Sequence, residues 1–235
     1  MNLFIASEVR SGSTYIAESL AYSFSDSFKV DFWDAGKELF NQLSDSTDAD
    51  QIESILSSLG QNSIGIKCAK IMCASLSIIC REVKRNPELY DHFFGQNACW
   101  IIIRRRNRIK QAVSLATAIA SDTWHFYDDP KTSPDNKVSI SNESIYDALK
   151  MIILSDDYLE NFSHFVEKST TIYYEDFIGN ELEVLKNTIN KLGLPFDEQL
   201  LTISPAKLKK TGQPLKSEAE RAFREYLLEN YHQVE

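Results

Sequence analysis

The stretch Ala98 to Ile103 is apolar at every position and stops abruptly at the charged segment Arg104 to Lys110. It is short and lacks any polar alternation, which fits a strand covered on both faces, the situation of a parallel sheet clothed by helices. Leu3 to Ala6 is a second apolar run. A polar, glycine-containing segment follows it from Ser7 to Thr14, and then Ile16, Leu20 and Phe24 recur at helical spacing. The order there is strand, loop, helix. Lys29 to Trp33, Ser63 to Lys67 and Thr170 to Tyr174 read as further strands. The spacing predicts helices over Asp48–Leu59, Ala69–Lys84, Asn142–Glu167 and Glu181–Leu192, and one after the arginine cluster with Ile109, Val113, Ala116 and Ala120 inward. Alternating strands and helices imply an α/β fold with a mainly parallel sheet and helices on both faces, taken as one domain over 1–235. The segment 127–141, rich in Asp, Pro, Ser and Lys, reads as a long mobile loop and a candidate lid.

Charge narrows the partners. A net charge of −9 argues against binding to nucleic acid or anionic membranes, which need a basic surface, so any anion site must be local. Cys68, Cys73, Cys80 and Cys99 form no C-x-x-C pair, and His92, His125, His164 and His232 stand far apart, so zinc-ligand spacing is missing. The thiols read as reduced and mostly buried. Met1 to Ala6 has no basic segment leading into a long apolar stretch, and no apolar run is long enough for a transmembrane segment. The expected location is the cytoplasm.

Two segments carry chemistry. Arg10-Ser11-Gly12-Ser13-Thr14 lies between a buried strand and a helix, where backbone N–H groups and the helix N-terminus form a cradle for a phosphate. Arg10 adds a charged fork, and the hydroxyls add donors. The lysine-bearing loop of ordinary nucleotide triphosphatases, G-x-x-x-x-G-K-[ST], is absent. The second segment begins where the apolar strand ends, with Arg104, Arg105, Arg106, Arg108 and Lys110, and runs into Gln111-Ala112-Val113-Ser114. An arginine at a strand terminus and a serine early in the next helix can meet around one phosphate; the competing reading of such a charge run is a solvated face.

With both segments in one α/β pattern, the chain resembles the sulfotransferases that use 3′-phosphoadenosine 5′-phosphosulfate (PAPS), with closer likeness to the bacterial trehalose 2-sulfotransferase type. Arg10 to Thr14 looks like the loop that holds the 5′-phosphosulfate, and Arg105 with Ser114 looks like the 3′-phosphate pair. Trp124 follows Ser114 at the family's distance, and Glu38-Leu39-Phe40, Gly65-Ile66-Lys67 and Tyr173 to Phe177 resemble further family segments. Val9 stands where many sulfotransferases have proline, and the region from Trp33 to Lys37 lacks a proline expected near the acceptor pocket.

The resemblance implies a P-loop-NTPase-like sulfotransferase fold and transfer of a sulfuryl group from PAPS to a hydroxyl, leaving 3′,5′-adenosine bisphosphate, with no metal. In that scheme Arg10, Ser11, Gly12, Ser13 and Thr14 neutralise the departing 5′-phosphate and Glu38 is the general base. Lys67, at the carboxyl end of its expected strand, reaches the sulfate or bridging oxygen. Arg105 and Ser114 hold the 3′-phosphate and Trp124 stacks on adenine. Lys207, Lys209 and Lys210 with Thr211 and Gly212 either close over the nucleotide or form a solvated basic turn. The implied acceptor is a small hydroxyl-bearing molecule, a sugar or glycolipid foremost, with other metabolite hydroxyls open, and the scheme accommodates a homodimer. Two alternatives remain: a small-molecule kinase with a degenerate phosphate loop, and a non-catalytic nucleotide-binding module.

Overall fold

The computed structural model describes residues 1–23, 30–33, 66–85, 87–122, 124, 139–196 and 213–230. Contacts divide the chain into two compact units, Met1–Arg106 with Ser155–Ala206, and Asn107–Leu154 with Lys207–Glu235. The first unit is built on a sheet of strands β1 (Asn2–Ser7), β2 (Val30–Trp33), β3 (Lys67–Met72), β4 (Ala98–Arg104) and β5 (Ser169–Tyr173), in the order β2-β3-β1-β4-β5. Every pairing is parallel. The helices are α1 (Ser13–Ser23), α2 (Cys73–Arg85), α3 (Tyr90–Phe93), α4 (Arg108–Ser121), α5 (Asn142–Phe165), α6 (Tyr174–Phe177), α7 (Glu181–Leu192) and α8 (Gln213–Asn230).

β1 and β4 are almost wholly apolar because both of their faces are covered, and the two-residue period of a strand sorts their side chains between two cores. On one face Phe4, Ala6, Ala69, Ile71, Trp100 and Ile102 meet Leu76 and Ile79 of α2 and Leu159 and Phe162 of α5. The Trp100 ring lies edge-to-face on Phe162, with centroids 4.7 Å apart, and its indole N–H donates to the Phe93 carbonyl at 2.6 Å. On the other face Leu3, Ile5, Cys68, Ile101 and Ile103 meet Ile16 and Leu20 of α1 and Leu185 and Ile189 of α7. The α/β architecture expected from the sequence, with a parallel sheet and helices on both faces, is therefore present. All four cysteines are free thiols. No helix among the described residues is long and apolar enough to cross a membrane.

Several boundaries differ from the sequence expectation. Lys67 opens β3 rather than closing a strand, and the helix expected from Ala69 begins at Cys73. The reason is Lys70, whose charge interrupts the apolar run of a strand that is nonetheless buried. Ala120, expected to face inward, is exposed near the end of α4. The helix expected over Asp48–Leu59, Glu38-Leu39-Phe40, Gly65, residues 127–138 of the expected lid, and Lys207 to Gly212 lie outside the described residues.

In the second unit, Asn107 caps α4 by accepting a hydrogen bond from the Lys110 backbone N–H at 2.9 Å. Asp122, in the left-handed conformation, closes the helix. Asn107 also donates to Glu220 of α8 at 3.4 Å, and Phe223 of α8 is fully buried.

Candidate active site

Parallel pairing puts the carboxyl ends of all strands on one edge, so the segments leaving β1, β3, β4 and β5 emerge side by side. Ser7 is in register with Met72 and with Ile103, and Arg104 with Tyr173. This brings the loop Glu8–Gly12, Arg105 and Tyr174 together although they are far apart in sequence.

The loop is tightly wound. Arg10 has φ +60° and Gly12 φ +89°, and the Gly12 carbonyl accepts from the Ile16 N–H at 3.2 Å, starting α1. A non-glycine residue at positive φ is uncommon and marks a backbone held by its surroundings. Part of that hold is Arg105, whose Nη1 donates to the Arg10 carbonyl at 3.1 Å. The other part is Tyr174. A Cβ on Gly12 would lie 2.1 Å from Tyr174 Cδ2, so the ring rests directly on the loop backbone. The Arg105 guanidinium lies over the same ring, 5.1 Å from its centroid. Tyr174 thus contacts both sequence segments predicted to grip phosphate.

The electrostatics around the loop are those of a site short of negative charge. Burial holds the Arg10 guanidinium below its ordinary range, and the positive charge of Arg105 pushes in the same direction. Ser11 is 1% exposed, and its hydroxyl has no hydrogen-bond partner among the described residues. A buried hydroxyl left this way carries a desolvation cost that a bound acceptor would remove. From the sheet side, Lys70 of β3 sends its ammonium group to Thr14 Oγ1 at 3.2 Å. The loop therefore has a cradle too tight for a side chain at Gly12, an unsatisfied hydroxyl, and cations reaching it from three segments. These residues fit a phosphate group.

The arginine run does three different jobs. Arg104 forms a two-pronged pair with Asp156, at 2.6 and 2.9 Å, and also meets Glu160. The hydrogen bonds that Arg104 donates to Asp156 hold its guanidinium above its ordinary range. Arg106 is bound to Asp176 through both of its terminal nitrogens and stacks on Tyr173 at 4.1 Å from the ring centroid. Arg105 alone of the three turns to the loop, with Glu175 3.7 Å from its Nε. The run is therefore not a uniform solvated face.

Substitutions should separate these jobs. Arg105→Ala is expected to lower affinity for 3′,5′-adenosine bisphosphate by about 1.5 to 3 kcal/mol, the worth of a hydrogen bond to a charged group. Arg104→Ala leaves Asp156 buried without its main partner and should cost about 3 to 5 kcal/mol of stability. Arg106→Ala, at an exposed pair, should change neither quantity measurably. Calorimetric titration and urea unfolding on the three variants check this.

Of the sequence-predicted residues, the structure brings together Arg10, Ser11, Gly12, Ser13, Thr14 and Arg105. Lys67 is displaced from them. It is in register with Asn2 at the amino end of the sheet, the edge opposite the loop, because its strand starts there instead of ending there. Ser114 lies in α4 of the second unit and is 8% exposed. Trp124, expected on that helix, stands beyond its Asp122 cap and is 40% exposed. Glu38 lies outside the described residues. The residues missed from sequence are Lys70 and Tyr174. A lysine between Ala69 and Ile71 in a stretch otherwise suited to a strand was the available signal for the first. No local signal marks the second, since its role depends on residue 12.

The sequence matches the family model of the Stf0 sulphotransferases over residues 2–225. Similar solved structures include a sulfotransferase from Alicyclobacillus acidocaldarius, 14% identical, covering 97% of this chain and 92% of that chain at a TM-score of 0.48. Another is the sulfotransferase domain of the Synechococcus PCC 7002 olefin synthase, 18% identical, covering 91% of this chain and 81% of that chain at a TM-score of 0.42. No curated protein matches the chain.

Proposed function

This chain belongs to the Stf0 sulphotransferase family, and from that premise we propose that it moves a sulfuryl group from PAPS to a hydroxyl of a small acceptor, a sugar or glycolipid, in the cytoplasm. The observation that carries the donor assignment is the meeting of the two cationic segments: Arg105 reaches the backbone of Arg10 beside a buried Ser11 hydroxyl that has no hydrogen-bond partner among the described residues. A ligand with a phosphate at each end of an adenosine matches two cationic segments better than a singly phosphorylated one.

When bound, PAPS supplies an activated sulfuryl group whose bond to the 5′-phosphate oxygen breaks as a bond to the acceptor oxygen forms. Everything else falls to the chain. Ser11 to Thr14, at the first turn of α1, offer N–H and hydroxyl donors where charge builds on the leaving phosphate, and Arg10 adds a fixed positive charge. These groups are positioned before reaction, so little reorganisation is needed as charge develops. Glu38 takes the proton of the acceptor hydroxyl. Arg105 and Ser114 hold the 3′-phosphate, which ATP lacks, and Trp124 stacks on the adenine.

The test is a pair of measurements. At about 100 times its dissociation constant, 3′,5′-adenosine bisphosphate should stabilise the folded protein by ~2.7 kcal/mol, seen as a raised melting temperature, and ATP at the same concentration should not. Incubation with labelled PAPS and a metabolite extract should then yield products heavier by one sulfuryl unit. Stabilisation by magnesium and ATP, with no response to the bisphosphate, would sink the reading in favour of a kinase.

A further inference from the structure

Lys70 sits in the middle of an inner strand, in register with Ile5 of β1 and Phe32 of β2, and is 2% exposed. An ammonium group in such a place costs several kcal/mol of lost hydration unless its surroundings repay it, so a sequence does not keep one there for packing alone. Strand alternation fixes its direction. Cys68, two residues before it, belongs to the core beneath α1, whereas Ala69 and Ile71 belong to the opposite core. Lys70 therefore points to the α1 face, and its Nζ reaches Thr14 Oγ1 at 3.2 Å in the first turn of that helix. Thr14 is three residues from Ser11, whose hydroxyl has no hydrogen-bond partner among the described residues, and four from Arg10, within one loop and helix start.

We propose that Lys70 contacts the 5′-phosphate end of the bound nucleotide from beneath, the sheet supplying the lysine that the loop of this chain lacks. The inference rests on the sulfotransferase reading and adds a catalytic residue to it. As the sulfur–oxygen bond to the 5′-phosphate breaks, its electron pair stays on the phosphate oxygen. The sulfur bonds to the acceptor oxygen, whose proton passes to the general base. Lys70 keeps its own proton throughout and donates a hydrogen bond to the oxygen that gains charge. Thr14 is then the positioning residue, holding Nζ at the start of α1.

The test compares two ligands by titration calorimetry: 3′,5′-adenosine bisphosphate, and adenosine 3′-monophosphate, which lacks the 5′-phosphate. The parent protein should prefer the bisphosphate. Lys70→Met should lower affinity for the bisphosphate by about 10- to 100-fold, as expected for loss of a hydrogen bond to a charged group. It should leave the monophosphate affinity unchanged. Replacing a buried charge by an apolar chain of similar length is often neutral or stabilising, so the melting temperature should not fall. Should Lys70→Met fail to fold, Thr14→Val serves instead, with a several-fold loss for the bisphosphate alone as the expected result.

An unchanged bisphosphate affinity in a folded variant, or equal losses for both ligands, overturns the role of Lys70 while leaving the sulfotransferase reading in place. A parent protein that does not discriminate between the two ligands overturns both.

Discussion

Gly12→Ala is expected to abolish binding of 3′,5′-adenosine bisphosphate, and sulfuryl transfer with it, while the sheet stays folded. Two independent costs fall on that one methyl group. The backbone at Gly12 has φ +89°, a conformation that costs a residue with a Cβ about 1 to 3 kcal/mol. The new Cβ would also lie 2.1 Å from Cδ2 and 2.5 Å from Cε2 of Tyr174, well inside contact distance. The ring cannot easily retreat. The helix it opens is anchored by the fully buried Phe177, which packs edge-to-face on Tyr15 with centroids 5.9 Å apart, and Arg105 lies over the ring. Overpacking of this kind typically costs about 1 to 3 kcal/mol more. The loop must therefore shift, and a shift of one ångström is enough to misplace donors that act on a phosphate. Affinity should fall by at least about 100-fold, with the far-ultraviolet dichroism unchanged. Adding Tyr174→Ala should recover only part of the loss, because it removes the clash and leaves the backbone cost. Parent-like affinity in the single variant would mean that the ligand binds elsewhere.

Glu38→Gln should reduce kcat by roughly 10²- to 10⁴-fold, the usual worth of a general base, with nucleotide affinity nearly unchanged. The substitution keeps shape and removes only the ability to accept a proton, so the split between kcat and affinity is the diagnostic quantity. Rapid-quench assays with PAPS, set beside calorimetric titration with the bisphosphate, provide both numbers. Loss of affinity together with turnover would assign Glu38 to the structure of the site. Retained turnover would place the base on another residue, and a non-catalytic module would show no parental turnover at all.

Much of the fold is readable in the chain because its inner strands are apolar without interruption. Leu3 to Ala6 and Ala98 to Ile103 are strands for that reason, and β5 and α7 lie within a residue of where their spacing puts them. β3 is the exception that shows the rule's limit. Lys70 breaks its apolar run, so the expected strand ends at Lys67, five residues before Met72, which picks out a lysine at the amino edge of the sheet instead of Lys70 in mid-strand. The phosphate loop is legible because glycine, serine and arginine follow a buried strand directly. Which arginine of the run turns toward it is not, since Asp156 and Asp176, the residues that engage Arg104 and Arg106, lie more than fifty positions downstream. Tyr174 is hidden for the same reason: its contact with Gly12 exists only once β1 and β5 are in one sheet.

The central position of β1 also bears on how the molecule is made. Asn2 is paired with Lys67 on one side and Ala98 on the other, so β1 has no neighbour until β3 is synthesised and is flanked on both sides only after β4. Such distant pairing slows folding and leaves an apolar segment unprotected in the meantime. A nascent chain halted before Arg104 should hold β1 in a protease-sensitive, chaperone-bound state, and the phosphate loop should acquire its full shape only after β5 and Tyr174 have followed.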